Sequence, residues 1–130
     1  MMKAVKDRAV LMCGPCGGVC TTPPTLIVLS SFSAAQQSKD VKITWSTASE
    51  INNAGFNIYR AEVENGEYVK INPSLIPAEG SPTQGATYQF IDEDVQYRKT
   101  YFYKLEDIDL NGTSTMQGPV SAEPRRLGRY

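Results

Sequence analysis

The stretch V-K-I-T-W-S-T, residues 41 to 47, alternates apolar and polar side chains with the two-residue period of a β-strand. Val41, Ile43 and Trp45 therefore share one face, and the polar side chains between them share the other. A strand with one apolar and one polar face is typical of an antiparallel sheet that is buried on one side. The pattern places the only tryptophan of the chain on the buried face.

Six further β-prone runs flank this strand, and turn signals separate them at the short, regular spacing of an all-β sandwich. The seven predicted strands are Leu26 to Ala34, Val41 to Thr47, Gly55 to Glu62, Glu67 to Ile71, Thr87 to Ile91, Thr100 to Ile108 and Thr113 to Ala122. The predicted core consists of Trp45, Phe56, Ile58, Tyr101, Tyr103 and Leu105. No helical period of useful length is present.

Asn-Gly pairs and prolines mark the connections between these strands. Asn65-Gly66 and Asn111-Gly112 predict tight hairpins, because both residue types tolerate positive φ. The segment from Asn72 to Gly85 contains three prolines and two glycines. It therefore predicts a long surface connection that forms no strand ladder.

The chain divides into three parts by composition. Residues 1–24 form a cysteine-containing tail or linker that ends in Thr21-Thr22-Pro23-Pro24, residues 25–124 form the β domain, and residues 125–130 form a basic C-terminal tail. A chain of 130 residues is long enough for one such core. No apolar run approaches the ~20 residues of a membrane span, and Ala9 to Met12 is too short for the apolar part of a signal peptide.

Charge and composition exclude several functional classes. Thirteen basic and fourteen acidic residues leave a net charge of −1, which gives no general attraction to nucleic acid or to an anionic membrane. The chain contains no histidine, so Ser-His-Asp and Cys-His catalysis are excluded. The sequence predicts a non-catalytic protein without a cofactor.

Four segments resemble the fibronectin type III-like repeats of bacterial exported and cell-surface proteins. They are Val41-Lys-Ile-Thr-Trp-Ser, Gly55-Phe-Asn-Ile-Tyr-Arg, Thr100-Tyr-Phe-Tyr-Lys-Leu and Gly118-Pro-Val-Ser-Ala. The resemblance covers residues 25–124 and implies a seven-stranded Greek-key β-sandwich with Trp45 in its core and a tyrosine corner at Tyr101. It also implies an extracellular or cell-surface location. Tyr97-Arg98-Lys99 stands where such repeats often carry a Pro-Gly turn.

Three cysteines, Cys13, Cys16 and Cys20, form the one sharp chemical motif of the sequence. The first two make a C-x-x-C pair that suits a redox disulfide or two ligands of a metal or iron–sulfur cluster, with Cys20 as a third ligand. A fourth ligand is missing, and the βαβ context of a thioredoxin motif is absent. A local disulfide with one spare thiol, or a crosslink between chains, explains the same residues.

Asp107, Asp109, Asn111 and Gly112 match the first half of a calcium-binding loop. The bidentate glutamate of such a loop falls on Gly118, so the second half fails. A polar strand end that leads into an Asn-Gly hairpin explains these residues without an ion.

Two charged clusters invite functional interpretations. Asp92-Glu93-Asp94 contains paired carboxylates, but glycosidase chemistry needs two carboxylates that face each other across a cleft. Consecutive residues fan apart, so we expect a solvated turn. Arg125, Arg126 and Arg129 are expected to form a solvated terminus that meets an acidic surface, such as Asp92 to Asp94, of a neighbouring molecule.

Four aromatic residues, Tyr59, Tyr68, Phe102 and Tyr130, suit an exposed platform for sugar or protein contact. Packing within the sheets is the alternative, because strands prefer alternating aromatic residues.

Three functions remain open at this point. The first is a structural or binding module of a surface assembly that joins copies of itself into a filament, with Leu26 to Leu29 and the tail before it adding a strand to a neighbour. The second is a redox or metal protein that uses its cysteines. The third is a carbohydrate-binding accessory domain.

Overall fold

Eight strands and no helix make up residues 26–125, the part of the chain that this computed structural model describes. The strands are β1 (Leu26–Gln37), β2 (Asp40–Ile51), β3 (Asn53–Ala61), β4 (Val69–Lys70), β5 (Ile76–Pro77), β6 (Thr87–Asp92), β7 (Tyr101–Asp109) and β8 (Ser114–Ala122). Each of the seven predicted runs contains a strand, which confirms the all-β prediction. None of the described residues forms a helix that is long and apolar enough to cross a membrane.

The eighth strand, β5, lies in the segment from Asn72 to Gly85, for which the sequence predicts no ladder. That prediction is wrong for two residues, because Ile76 and Pro77 pair with Phe56 and Gly55 of β3. A proline fits there because β5 lies at a sheet edge, where its missing N–H is not needed for a second partner.

The strands form two antiparallel sheets with the chain order of a Greek-key sandwich. The small sheet has the order β1-β2-β6, and the large sheet has the order β4-β3-β7-β8 with β5 also beside β3. Sequence-adjacent strands β2 and β3 lie in different sheets, as do β6 and β7. The chain therefore crosses between layers, and the apolar faces of both sheets meet in one core.

Aromatic rings fill the centre of this core. The Trp45 ring stacks on Tyr88 with 5.3 Å between the ring centroids, and Phe56 meets Trp45 edge-on at 5.5 Å. All six residues of the predicted core, namely Trp45, Phe56, Ile58, Tyr101, Tyr103 and Leu105, are at most 3% exposed. Val41, Ile43 and Tyr88 complete the buried cluster.

The two Asn-Gly hairpins differ from each other. Gly112 has φ +88° and its N–H donates to the Asp109 carbonyl at 3.0 Å, so the β7–β8 connection is a short turn that ends in a left-handed glycine. The β3–β4 hairpin is also present, but its connection spans residues 62–68. Gly66 closes a turn onto the Val63 carbonyl at 2.9 Å there, so the turn is less tight than Asn65-Gly66 predicts.

A tyrosine corner precedes β7. The Tyr101 hydroxyl accepts a 3.0 Å hydrogen bond from the backbone N–H of Gln96, five residues upstream, as the family resemblance implies. Arg98 adopts φ +65° between them, and its N–H donates to the Pro124 carbonyl at 2.8 Å. An arginine therefore occupies the left-handed position that a glycine would hold without strain.

The chain enters and leaves the sandwich at opposite ends. Leu26 pairs with Ile51, next to the Asn53–Asp109 pair, whereas Ala122 pairs with Tyr101 at the other end of β7. The nine residues of β7 span roughly 25–30 Å at about 3.3 Å per residue. The start of β1 and the end of β8 therefore lie at opposite ends of the domain.

Leu26 to Leu29 belongs to this sandwich. The segment pairs with Thr47 to Ile51 of the same chain, at one end of β1. Leu26 to Leu29 is therefore paired on one side by its own β2, and its addition as a strand to another molecule stays a prediction. Residues 1–24, which carry the remainder of that prediction, lie outside the described part.

Candidate functional site

Three of the four aromatic residues singled out by the sequence lie on one surface. Tyr59 and Phe102 face outward from the large sheet, because β3 and β7 alternate them with the buried Ile58, Tyr101 and Tyr103. Tyr68 lies in the β3–β4 connection, and its ring contacts Lys104 of β7 on the same side. All three are half-buried. Tyr130 lies outside residues 26–125. We call the surface formed by Tyr59, Tyr68, Phe102, Lys104 and Glu106 the outer aromatic face.

Polar side chains beside these rings form hydrogen bonds with one another. Glu106 accepts hydrogen bonds from Asn57 Nδ2 at 2.9 Å and from the Tyr59 hydroxyl at 3.1 Å. Burial and this bond raise the pKa of Tyr59. The Lys104 ammonium lies 4.5 Å from the centroid of the Tyr68 ring. The face therefore offers ring surfaces to a partner, while most of its hydrogen-bonding groups are already used within the sheet.

Asn72 supports this face and was not singled out by the sequence. Its Oδ1 accepts from the Ile58 N–H at 2.7 Å, and its Nδ2 donates to Asn57 Oδ1 at 2.9 Å. The side chain thus acts as a strand residue in the gap between β4 and β5, which both pair with β3. It is 3% exposed. An asparagine within a proline-rich segment gives no sequence signal for such a role.

The acidic cluster Asp92-Glu93-Asp94 divides into one buried and two exposed carboxylates. Asp92 is 3% exposed, and Arg60 Nη1 donates to both of its oxygens at 2.9 Å. The expected solvated turn is therefore wrong for Asp92, because its pairing with the buried Val41 puts it on the inward face of β6. Asp94 is 96% exposed, as a solvated turn requires. Asp92 and Asp94 both contact the Arg60 guanidinium, at 2.9 and 3.5 Å, so these two acids form ion pairs within the domain.

A second buried carboxylate, Glu50, was not predicted. It is 3% exposed and accepts hydrogen bonds from Thr47 and Tyr88 at 2.6 Å and from Asn53 and the Gly80 N–H at 3.2 Å. Burial alone would raise the pKa of Glu50, but these four hydrogen bonds outweigh it and lower the pKa below 4.5. The carboxylate holds the β5–β6 connection against β2. Its two oxygens accept four hydrogen bonds from within the domain.

The calcium-like segment serves the β7–β8 turn. Asp109 Oδ1 accepts from the backbone N–H groups of Asn111 and Thr113 at 2.7 and 2.9 Å. Asp107 is partly exposed, and burial together with the charges of Asp109 and Glu106 raises its pKa to about 6. Within residues 26–125 no three cysteine, aspartate or glutamate side chains are grouped to hold a metal ion.

The remaining predicted sites lie at the two termini. Cys13, Cys16 and Cys20 fall outside the described residues, as do Arg126 and Arg129. Arg125 is exposed and lies 3.4 Å from Glu123. Together with Tyr97 and Arg98 these two residues line a cavity of about 580 Å³ at the end where the chain leaves the sandwich.

Comparison with known proteins supports the fold more strongly than any activity. No family model matches the chain. A curated relative, an amylopullulanase from Thermoanaerobacter thermohydrosulfuricus, is 27% identical over 89 residues, which is 68% of this chain but 5% of that protein. A crystal structure of an Fn3-like protein from Clostridium thermocellum superposes with a TM-score of 0.54 at 18% identity, over 81% of this chain and 98% of that one. With its two antiparallel sheets and tyrosine corner, the chain adopts a fibronectin type III-like β-sandwich fold.

Proposed function

We propose that the chain is a non-catalytic spacer and binding module of an extracellular or cell-surface assembly. The observation that carries this proposal is the position of the first residue of β1 and the last residue of β8. Leu26 and Ala122 lie at opposite ends of the sandwich, so each module adds its length to an assembly. The continuous aromatic core resists bending of the module between these ends.

Three features support a role without catalysis. The buried carboxylates Glu50 and Asp92 are saturated by donors from within the domain. The matching stretch of the amylopullulanase covers 5% of that enzyme, a size that suits an accessory segment. Histidine, the commonest general base, is absent from the sequence.

The N-terminal segment is proposed to engage a neighbouring copy. A contact of one chain's tail with a different surface of the next copy is heterologous and need not close, so it produces a filament. Cys13, Cys16 and Cys20 would then crosslink neighbouring tails. The alternative is a redox or metal-binding role of the same three cysteines, with a cluster or ion completed by a ligand from another chain.

The native mass of the full chain tests these proposals. It is measured by sedimentation velocity over a range of concentrations, with and without reductant, and metal analysis is done on the same sample. A triple Cys13→Ser, Cys16→Ser, Cys20→Ser variant is the matched control. Association that persists in this variant supports the tail-mediated module. Bound metal or colour that the variant loses supports the metal alternative, and a monomer in all conditions excludes self-association.

A second candidate is a carbohydrate-binding accessory module, favoured by the name of the curated relative together with the outer aromatic face. Tyr68 is its best test residue, because its half-buried ring covers Lys104. If the face binds glucan, Tyr68→Ala lowers the affinity for pullulan measured by calorimetry. Tyr97→Ala, at the end of the sandwich, is the control and leaves the affinity unchanged. If the native chain has no measurable affinity for pullulan, this candidate is excluded.

A further inference from the structure

The edges of the two sheets are protected to different degrees. The ladder between β1 and β2 contains two register shifts, and the ladder between β7 and β8 contains one. Such bulges make an edge strand unsuitable for pairing with another chain. In contrast, β6 pairs with β2 in unbroken register from Val41–Asp92 to Ser46–Thr87. It also contains no lysine or proline, so β6 is the regular, unprotected edge of the small sheet.

A groove runs along this edge. Val69, Ile71, Phe90 and Ile91 line a cavity of about 380 Å³ between β4 and β6, and the Arg60–Asp92 ion pair lines it as well. Among residues 26–125, β6 forms a strand ladder only with β2, and β4 only with β3. We call this cavity the β4–β6 groove. Constant-type immunoglobulin sandwiches carry one more strand beside the strand equivalent to β6.

The lining of the groove combines apolar and charged side chains. Lys70 also lines it, so the acids Glu93 and Asp94 leave its rim with only a small negative charge. Val69 is 59% exposed, and Phe90 and Ile91 are partly exposed. Glu93 and Asp94 stand at one end of the groove, and Glu67 lines the adjoining cavity along the β3–β4 hairpin. An extended segment that combines apolar side chains with positive charge would match both properties.

We propose that the N-terminal segment of a second copy, residues 3–12, adds a strand to β6 in the β4–β6 groove. The proposal rests on the self-association proposed above and names its acceptor surface. Lys3, Lys6 and Arg8 against Asp7 give the segment a net charge of +2. Its last four residues, Ala9 to Met12, are apolar and supply the side chains for the groove.

The sequence favours a second copy over the segment's own domain. Pro23-Pro24 fixes φ at two residues just before β1, and residues that precede proline are driven into extended conformations. We expect these two prolines to favour an extended approach to Leu26. In addition, β2 separates β1 from β6, so the segment's own groove lies at the far edge of the small sheet.

A charge swap in the full-length, reduced protein tests the proposal. One double variant, Glu93→Lys with Glu67→Lys, reverses the charge of the rim. The other, Lys6→Glu with Arg8→Glu, reverses the charge of the segment. Neither rim residue forms an ion pair with another described residue. We expect each double variant to weaken association at least about tenfold, and the combination of all four changes to restore most of the loss. Glu79→Lys, an exposed reversal on the β5–β6 connection, is the control and changes little.

Two further measurements separate the groove from other surfaces. Val69→Asp places a charge in the groove without touching the core, and we expect it to abolish association while circular dichroism stays unchanged. Amide exchange across Thr87 to Asp92 slows when the native protein associates. Association that these groove variants leave intact overturns the groove but not the proposed self-association. A native protein that stays monomeric at every concentration overturns both.

Discussion

The hydroxyl of Tyr103 donates a 2.8 Å hydrogen bond to Oδ2 of Asp92, and this bond joins the large sheet to the small one. Arg60 contacts the same carboxylate from β3. Near the opposite end of the small sheet, Glu50 accepts hydrogen bonds from the hydroxyls of Thr47 and Tyr88. Each end of the apolar core is thus closed by a buried carboxylate, and this arrangement leads to the first two predictions.

Asp92→Asn is expected to lower the free energy of unfolding by about 3 kcal/mol, because it removes the buried countercharge of the Arg60 guanidinium and leaves only the exposed Asp94, 3.5 Å away. Urea denaturation of the purified chain measures the loss. Glu93→Gln, the exposed neighbour, is the control and should stay within about 0.5 kcal/mol of the native chain. Equal effects of the two changes would show that the Arg60–Asp92 pair does not stabilise the domain.

Glu50→Gln is expected to cost about 2 kcal/mol at neutral pH, because an amide NH2 would face donors that now point at a carboxylate oxygen. The pKa of Glu50 is lowered on folding, so its stabilising contribution is present above pH 4.5 and is lost as the pH falls through the lowered value. Acid titration of stability should therefore be flatter below pH 4.5 in the variant. A parallel acid limb in both proteins would contradict this role.

The alternation of apolar side chains predicts the strands and the six core residues, because period two depends only on local sequence and burial. Trp45, Phe56 and Ile58 follow it directly. The alternation does not predict the roles of the two buried carboxylates, Glu50 and Asp92. Nothing in the local sequence distinguishes the buried Asp92 from the exposed Asp94. Only the pairing of Asp92 with Val41 across the sheet, and the reach of Arg60 from β3, decide that difference.

Long-range contacts also explain what the sequence misses in the proline-rich segment. Asn72 is recognised only through its hydrogen bond to the Ile58 N–H on another strand. Gly85 is required because a Cβ there would lie 1.6 Å from the Thr47 carbonyl oxygen. The regular, open edge of β6 likewise becomes visible only when its partner strand is known. The cysteine motif and its role stay a prediction from the sequence alone.

Trp45→Ala is expected to lower the free energy of unfolding by about 3–5 kcal/mol, because the fully buried ring stacks on Tyr88 and meets Phe56 edge-on. Trp45→Phe should lower the free energy of unfolding by clearly less. Its smaller ring keeps part of the packing and removes an indole N–H for which residues 26–125 supply no acceptor. Thermal unfolding of both variants gives the comparison, and an unchanged melt of Trp45→Ala would refute the assignment of this strand to the core.

Asp107→Asn is expected to stabilise the domain at pH 7. Burial and the neighbouring acids raise the pKa of Asp107 from 3.8 to about 6, so the ionised form is disfavoured in the folded state. The penalty is absent below pH 3.8, grows as the pH rises to about 6 and is constant above. Because the side chain is partly exposed, we expect a gain of only about 1–2 kcal/mol.

The gain should vanish below pH 4, where the native aspartate is protonated, and denaturation at pH 3.5 and 7 compares the two limits. Glu79→Gln, an exposed control, should change stability little at either pH. Calcium gives an independent check on the same residue. A calcium-dependent rise in Tm that Asp107→Asn removes would show that Asp107 and Asp109 bind a cation rather than only shape the turn.

Arg98→Gly is expected to raise the free energy of unfolding by about 1 kcal/mol, because φ +65° is strained for a residue with a Cβ and free for glycine. The greater freedom of glycine in the unfolded chain offsets part of that gain. Arg98→Val should destabilise, since a β-branched side chain fits the left-handed region worst. The control is Lys99→Gly, at the next position without positive φ, which should lower stability. If Arg98→Gly behaves like Lys99→Gly, the tyrosine corner does not hold this residue in the strained conformation.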